Sequence, residues 1–224
     1  MLISEEAHKY LRGEHFSNGW SLPIPRQQRI VSRNKRLIEL AQNKSVLHIG
    51  CADHTILIQR KIKEGTYLHE LLEHSSSKLV GVDINPEGIE VMQKLGFPHI
   101  YHPSMVPEGK YDLLIAADVI EHVSNVNVFL TDLKRYNFDR LVITTPNAYR
   151  RINRRQYKAE IINTDHRYWF SPFTLAKAVT DAQYQVEAIE FTDYPSKFRL
   201  YRNVLLKKYP LLQDGLLIIA TKQA

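Results

Sequence analysis

The chain has 224 residues with a formal net charge of +6, and at 44% hydrophobic and 24% charged it has the composition of an ordinary globular protein. No apolar run approaches the roughly 20 residues that a membrane-spanning helix needs. The N-terminus shows no basic flank followed by an apolar stretch, so we expect no secretory signal. The single cysteine, Cys51, excludes an internal disulfide and fits a reducing cytoplasm.

The first 44 residues form a preface to the main domain. The proline-containing segment S-L-P-I-P interrupts regular structure in this preface and precedes a predicted helix from about Arg26 to Gln42. We expect this preface to act on the substrate side or as a cap. From Ser45 onward the chain alternates short apolar strands with helical patterns, and we assign residues 45–224 to one domain.

That domain contains seven predicted strands separated by predicted helices. The strands are 46–49, 78–82, 99–101, 111–116, 140–145, 185–191 and 216–221. The helices are a segment from about Thr55 that Gly65 interrupts, then 67–73, 86–95, 126–135 and 173–182. Two insertions, 147–170 and 192–214, are rich in basic and aromatic residues and show no clean period.

Strands that alternate with helices predict an α/β fold. We expect a Rossmann-like, mostly parallel seven-stranded sheet with helices on both faces. Because no clear helix separates the last two strands, the final strand is expected to run antiparallel.

The positive charge is gathered in three clusters, and two interpretations of them stay open. They are either solvated helix faces or a surface that attracts an anionic ligand, such as a phosphorylated sugar, a nucleotide-linked intermediate or RNA. The clusters are Arg26, Arg29, Arg33, Lys35 and Arg36; Arg150, Arg151, Arg154, Arg155 and Lys158; and Lys197, Arg199, Arg202, Lys207 and Lys208.

The stretch from Val46 to His54, V-L-H-I-G-C-A-D-H, is an apolar strand that runs into a glycine turn and then a helical pattern. The next strand, L-V-G-V, ends on Asp83. This order is how α/β proteins bind an adenosine-containing cofactor, because the carboxylate accepts two hydrogen bonds from a ribose diol. Asn85, before Pro86, is the better helix cap, which leaves Asp83 for the ribose.

Four motifs together resemble class I S-adenosylmethionine-dependent methyltransferases: V-L-H-I-G-C-A-D-H, L-V-G-V-D, Y-D-L-L-I-A-A-D-V-I-E-H-V and L-V-I-T-T-P-N. Their order is similar to that of ubiquinone-type O-methyltransferases. The segment D-H-R-Y-W-F-S-P-F-T-L also resembles methyltransferases of surface-polysaccharide biosynthesis. The resemblance covers roughly residues 45–191.

The resemblance implies S-adenosyl-L-methionine as the cofactor and a role for each motif residue. The turn at Gly50 would lie under the methionine part, Asp83 would hold the ribose with Ile84 against the adenine, and Asp118 would lie near the transferable methyl. The implied cofactor-binding residues are His48, Gly50, Cys51, Ala52, Asp53, Asp83, Ile84, Ser104 and Asp118.

The first loop departs from the family pattern of one acid and three glycines. The corresponding positions are His48, Gly50, Ala52 and His54. One glycine remains, and a histidine supplies no fixed negative charge. After the third strand, where an acid often caps the adenine, the chain has Pro103-Ser104. We therefore expect cofactor binding to depend more heavily on Asp83 and on backbone groups.

Two histidines are candidate catalytic residues, because an imidazole that titrates near neutral pH can take a proton from an acceptor hydroxyl. The resemblance places His122 towards the acceptor, one helical turn after Asp118. His166 lies in the aromatic insertion T-D-H-R-Y-W-F-S-P, which reads as a lid. The alternative interpretations are a structural histidine at a helix start for His122 and loop packing for His166.

Acceptor-binding candidates lie at the same predicted rim. Asn147 follows the fifth strand, and Tyr168 and Trp169 can stack on a sugar or a base, with core packing as the alternative. No metal site is predicted, because His48, Cys51 and His54 crowd one turn, unlike known zinc spacings.

The leading hypothesis is therefore O-methylation of a small-molecule or glycan acceptor. Basic clusters with interleaved aromatics also permit an RNA methyltransferase, although no separate RNA-binding module is visible. The lost glycines permit an inactive, cofactor-binding partner subunit. A nicotinamide-dependent reductase is disfavoured by the missing G-x-G-x-x-G motif. We predict no membrane insertion, and the sequence leaves the oligomeric state open.

Overall fold

A computed structural model of the protein describes residues 1–150 and 162–223. Within these residues seven strands form one sheet: β1 (Ser45–Ile49), β2 (Lys78–Val82), β3 (Ile100–Tyr101), β4 (Lys110–Ala117), β5 (Asn137–Pro146), β6 (Tyr184–Thr192) and β7 (Gly215–Lys222). Their order across the sheet is β3-β2-β1-β4-β5-β7-β6. Strands β1 to β5 run parallel, whereas β7 is antiparallel to both β5 and β6. The predicted Rossmann-like sheet with an antiparallel last strand is confirmed.

The helices connect the strands and also precede them. They are α1 (Glu5–Leu11), α2 (Arg33–Ala41), α3 (Thr55–Lys63), α4 (Leu68–Glu73), α5 (Pro86–Lys94), α6 (Val126–Asp132), α7 (Pro172–Asp181) and α8 (Leu200–Lys208). Short 3₁₀ turns follow α6 at Leu133–Arg135 and α8 at Pro210–Leu212. In the described part of the chain, no helix combines the length and the apolar composition needed to cross a membrane.

Both faces of the sheet are covered, as the near-continuous apolar strands predict. Neighbouring residues of β4 enter opposite cores, because side chains alternate across a strand. Leu114 belongs to the same buried cluster as Leu175 of α7. Ile115 belongs to a second cluster with Leu37 of α2. All four side chains are completely buried, so each face supports its own helix layer.

The N-terminal 44 residues share these cores rather than standing apart from them. Leu11 of α1 and Leu37 of α2 are buried in the two clusters. The Ile3 N–H donates to the Glu187 carbonyl of β6 at 3.3 Å. The preface therefore packs against the sheet through α1, α2 and the edge strand β6.

Helix α2 begins at Arg33, seven residues after the predicted start. Ser32 adopts an extended conformation and its side chain accepts from the Lys35 N–H at 3.4 Å, which makes it the N-cap. The preceding residues form no regular secondary structure, and the Gln27 N–H donates to the Lys207 carbonyl at 3.0 Å. The late start places Arg33 in the first turn of α2, near the carboxyl ends of the strands.

Two helices were not predicted from the sequence. Helix α1 follows Ser4, whose hydroxyl accepts from the Ala7 N–H at 3.2 Å, a standard helix cap that the sequence contains. Helix α8 lies inside the predicted insertion 192–214 and buries only Leu206. Because α8 has little buried surface, it lacks the apolar period by which a helix is recognised.

Several basic side chains of the three clusters form ion pairs within the protein and are therefore less available to bind an anionic ligand. In the first cluster, guanidinium groups pair with acidic side chains: Arg29 with Glu39 at 2.7 Å and Arg36 with Glu190 at 2.6 Å. In the third, Arg202 pairs with Asp193 at 2.6 Å. Of the second cluster, Arg151, Arg154, Arg155 and Lys158 lie outside the described residues. Structural ion pairs thus account for part of the basic surface.

Candidate functional site

A cavity of about 630 Å³ opens at the carboxyl ends of β1, β2 and β4. In open α/β sheets this edge is where ligands bind. The cavity brings together ten of the residues that the sequence singled out: His48, Gly50, Cys51, Ala52, Asp53, Asp83, Ile84, Asp118, His122 and His166.

The turn after β1 is held in a conformation that favours glycine. Gly50 has φ +69°, and a Cβ at this position would collide with the Val119 side chain. The Gly50 and Cys51 N–H groups both approach the Val82 carbonyl, at 2.8 and 3.3 Å. The turn is therefore fixed to the end of β2, and the cavity floor is backbone.

Asp83 is buried at the end of β2, and its carboxylate joins two loops. One oxygen accepts from the Ala52 N–H and the other from the Asn85 N–H, each at 2.9 Å. Burial raises the pKa of Asp83 despite these N–H donors. Each oxygen retains a further lone pair, so the carboxylate can still accept from a ligand hydroxyl at the cavity.

Other residues of the predicted cofactor set line the same cavity. The Asn85 side chain accepts from the Glu87 N–H at 3.1 Å, so Asn85 caps α5 as predicted. Ile84 is 78% exposed, an apolar side chain with little protein around it. Asp53 pairs with Lys61 of α3. Cys51 is buried, and burial followed by Asp83 raises the pKa of its thiol, so it lies there as a neutral group.

His48 is buried in β1 and pairs with a second buried histidine. Its Nδ1 lies 3.1 Å from the Nδ1 of His69 on α4, and the two rings stack. Burial lowers the pKa of His48 well below its usual value and lowers that of His69 to about 4. The pair is therefore neutral at neutral pH, and His48 brings no charge to the cavity wall.

Asp118 follows β4 in the left-handed conformation, at φ +54°. Its N–H donates to the Thr144 carbonyl at 3.0 Å, and its carboxylate accepts from the Thr144 hydroxyl at 2.7 Å. Arg33 of α2 forms an ion pair with the same carboxylate. From the sequence, Arg33 was recognised only as part of a basic cluster, because its partner lies 85 residues away.

Glu121 is a further cavity residue to which the sequence assigned no role. It is fully buried, and one carboxylate oxygen accepts from the Thr145 hydroxyl at 3.0 Å. The other oxygen has no hydrogen-bond partner among the residues that the structure describes. Burial, and then Asp118, raise the pKa of Glu121 to about 8. The one feature of the sequence that could have identified Glu121 as a site residue is its position inside the A-D-V-I-E-H-V motif.

His122 and His166 meet at the cavity although 44 positions separate them in the chain. Their ring centroids lie 4.8 Å apart, edge to face. The His166 segment is docked by backbone hydrogen bonds, because the Glu121 carbonyl accepts from the Arg167 N–H at 2.8 Å. His122 Nδ1 lies 2.9 Å from the Asp165 carbonyl. Burial, followed by His122, lowers the pKa of His166.

Four residues of the predicted set do not line this cavity, and Asn147 and Ser104 are two of them. Asn147 is fully buried, and its amide donates to the Leu211 and Gln213 carbonyls at 3.0 and 2.9 Å. Asn147 therefore fixes the chain before β7 instead of facing a ligand, which differs from the predicted acceptor role. Ser104 is exposed and contacts His102 Nδ1 at 2.9 Å, away from the cavity predicted to hold the adenine.

The two aromatic candidates, Tyr168 and Trp169, also do not line this cavity. The Tyr168 hydroxyl donates to the Ser124 carbonyl at 2.9 Å. Trp169 packs against the His166 ring at 5.4 Å between centroids, with the Arg150 guanidinium over its own ring. Their observed contacts are with the protein, but Trp169 is 37% exposed, so a role of these two residues in acceptor binding stays a prediction.

A smaller cavity of about 260 Å³ adjoins the first and shares Arg33, Asp118 and Pro146 with it. Its wall includes Asp193 and Asp214 beside β7. Asp193 is 3% exposed, and its Oδ2 has no hydrogen-bond partner in the described part of the chain. Burial, and then Asp193, raise the pKa of Asp214. This cavity thus presents two carboxylates, of which Asp193 is buried, as acceptors for hydroxyl or amino groups.

A third cavity, of about 580 Å³, lies between the segment after α1 and the start of α7, with Trp20 and Phe173 in its wall. It shares no lining residue with the other two. Its position separates it from the Gly50 turn and from Asp83.

Comparison with known proteins agrees with this geometry. A family model described as a methyltransferase domain matches residues 25–189. The fold is similar to an S-adenosylmethionine-dependent methyltransferase from Mesorhizobium loti, with 14% identity, 84% of this chain and 97% of that chain covered, and a TM-score of 0.54. A search of curated proteins finds no match to the sequence.

Two further solved structures share the fold. One is a methyltransferase from Aquifex aeolicus, with 14% identity, 85% and 89% of the two chains covered, and a TM-score of 0.52. The other is magnesium protoporphyrin IX methyltransferase from Synechocystis PCC 6803 with bound S-adenosylhomocysteine, with 14% identity, 85% and 82% covered, and a TM-score of 0.51.

The family match spans well over half of the chain, so the chain belongs to the methyltransferase-domain family. It is an S-adenosylmethionine-dependent methyltransferase, and S-adenosylmethionine is its expected cofactor. The enzyme class predicted from the sequence is confirmed.

Replacing Gly50 by alanine should destabilise the protein. The left-handed backbone costs an alanine about 1–2 kcal/mol, and overpacking against Val119 adds about 1–3 kcal/mol. Gly65→Ala is the matched control, because Gly65 has φ +62° but open space around its Cβ position. Urea unfolding should show a larger loss for Gly50→Ala, and equal losses for the two variants would contradict the tight turn.

Acidification should destabilise the protein through the His48–His69 pair. The unfolded chain takes up protons below about pH 6.5, whereas buried His69 stays neutral down to about pH 4. The free energy of unfolding should therefore fall by about 1.4 kcal/mol per pH unit for each such histidine. Urea unfolding between neutral pH and about pH 5 should give a shallower fall for His69→Gln. The control variant His74→Gln, which changes an exposed histidine, should show the same fall in the free energy of unfolding as the parent protein. A fall in His69→Gln as steep as that of the parent would refute the assignment of His69 as a buried, neutral histidine.

Proposed function

We propose that the protein transfers a methyl group from S-adenosylmethionine to a hydroxyl group of a small-molecule or glycan acceptor. One observation carries the proposal: the Gly50 turn, Asp83 and the His122–His166 pair line the same cavity. The proposed adenosine site and the two imidazoles thus lie in one cavity of about 630 Å³.

At the nucleoside end, Asp83 is the proposed partner of the ribose hydroxyls. Its two hydrogen bonds to loop N–H groups hold the carboxylate in place before a ligand arrives, so little ordering is needed on binding. Ile84 offers an exposed apolar surface for the adenine. Gly50 lets the backbone approach the methionine part closely.

At the methyl end, the reaction requires the acceptor oxygen to line up with the sulfonium. The oxygen attacks the methyl carbon, the carbon–sulfur bond breaks with its electron pair left on sulfur, and S-adenosylhomocysteine and a methyl ether result. Alignment alone is worth up to about 7–11 kcal/mol. The hydroxyl proton leaves at the His122–His166 pair, which is the proposed catalytic pair.

The acceptor is proposed to enter through the smaller cavity, which shares Arg33 and Asp118 with the cofactor cavity. The carboxylates of buried Asp193 and exposed Asp214 can accept hydrogen bonds, and this favours an acceptor rich in hydroxyl groups over an anionic one. A sugar fits that requirement. The ubiquinone-type and polysaccharide likeness rests on sequence motifs and stays a prediction.

Calorimetry with S-adenosylhomocysteine tests the cofactor assignment. Asp83→Ala should weaken binding by at least about tenfold, because each charged hydrogen bond that it removes is worth about 1.5–3 kcal/mol. His122→Ala is the comparison and should change the affinity by less than about threefold, since its proposed contact is with the acceptor. Comparable losses in both variants, or preferred binding of NAD, would overturn the assignment.

Mass spectrometry of candidate acceptors identifies the reaction. Incubation with S-adenosylmethionine should add one methyl group to an oxygen of a hydroxyl-rich small molecule or glycan. Methylated RNA, with retention on RNA that falls steeply as salt rises, would instead support the RNA alternative.

A further inference from the structure

Three side chains at the methyl end of the cavity converge without bonding to one another. Glu121, His122 and His166 each offer one ligand atom, and these atoms all lie within 4.8 Å of one another. We propose that Glu121, His122 and His166 form a binding site for one divalent transition-metal ion. The sequence pointed to no such site, because His166 reaches the other two only through the fold.

The strongest support is the buried carboxylate. Glu121 is 0% exposed, and its Oε1 lacks a hydrogen-bond partner among the described residues, whereas Oε2 accepts from Thr145. A buried polar atom without a partner costs about 1–3 kcal/mol, and more for a charged group. A cation bound at Oε1 supplies the missing partner, and the Thr145 hydroxyl orients the carboxylate from behind.

The two imidazoles are arranged as metal ligands are. His122 Nδ1 lies 2.9 Å from the Asp165 carbonyl, a contact that assigns the proton to Nδ1 and leaves Nε2 with its lone pair. His166 Nδ1 is buried and has no hydrogen-bond partner within the described residues. Asp118 is not needed as a ligand, since Arg33 and Thr144 already hold its carboxylate.

The distances and the donor types select the class of ion. Ligand atoms about 2.1 Å from one ion lie at most about 4.2 Å apart, so side-chain shifts of under about 1 Å close the site. His122 is exposed and can supply part of the shift. Two imidazoles with one carboxylate suit zinc, manganese or a similar transition metal, whereas calcium prefers oxygen ligands alone.

The role of the ion rests on the proposed function. At this end of the cavity a bound cation would take the acceptor hydroxyl oxygen as a further ligand and lower its pKa. The hydroxyl would then release its proton more readily, to solvent water at the open cavity, before its oxygen attacks the methyl group. With the ion bound, His122 and His166 would serve as ligands, and this role replaces the base role that is proposed above for the metal-free pair.

Metal binding by the chelator-treated full-length protein is the test, with Zn²⁺ in calorimetry and Mn²⁺ in electron paramagnetic resonance as probes. We expect one saturable equivalent per chain, and Ca²⁺ should not compete. Glu121→Gln and His166→Gln should each weaken binding by at least about tenfold. His122→Gln changes an exposed residue, so it tests the site even where a core variant fails to fold. His74→Gln, exposed on another face, should bind the metal as the parent does.

Binding of S-adenosylhomocysteine to the metal-free protein separates this proposal from the function above. Retained cofactor binding without a saturable metal equivalent would overturn the metal site alone. Binding of one metal ion per chain with unchanged affinity in folded His122→Gln and His166→Gln would also overturn the proposed metal site. Loss of cofactor binding with intact metal binding would overturn the proposed function and leave the site standing.

Discussion

The in-register parallel pairing of β1 with β2 and β4 is the constraint on which the site depends. Ile49 pairs with Val82 on one side and with Ala116 on the other, so the three strands end at the same level of the sheet. The next residues, Gly50 and Asp83, therefore emerge side by side, and Asp118 follows within two residues. A shift of β1 by one residue would turn its side chains to the opposite face of the sheet and would separate Gly50 from Asp83 and Asp118.

A second constraint brings the distant part of the chain to that edge. The Glu121 carbonyl accepts from the Arg167 N–H, and His54 lies 3.4 Å from Asp165 across the cavity. These contacts hold the His166 segment at the cavity, beside Glu121 and His122. The buried Glu121 side chain and the two imidazoles are thus brought together by backbone hydrogen bonds. Such bonds order fewer rotatable bonds than contacts between long side chains do, so they cost less conformational entropy.

Much of the fold could be predicted because its signals are local. The strands are apolar on both faces, and Asn85-Pro86 forms a helix start that the structure reproduces. Asp83 and Gly50 could be predicted to share a site because each directly follows an apolar strand, and both line one cavity. Helix α8 was missed, since only Leu206 is buried and no apolar period marks it.

The rest of the site depends on contacts that sequence does not display. Arg33 meets Asp118 across 85 positions, and nothing near Arg33 distinguishes it from other basic residues. Asn147 was placed at the correct strand end, but the direction of its side chain is set by the Leu211 and Gln213 carbonyls. Glu121 stands in a recognisable motif, yet its burial and its unpaired oxygen are properties of the packed structure.

The most direct test of the account is a crystal structure of the protein with S-adenosylhomocysteine. The ribose hydroxyls should lie within hydrogen-bond distance of the Asp83 carboxylate, with the homocysteine sulfur directed towards Asp118 and the His122–His166 pair. A nucleoside bound in another cavity, or one that leaves Asp83 without a ligand contact, would contradict the central claim.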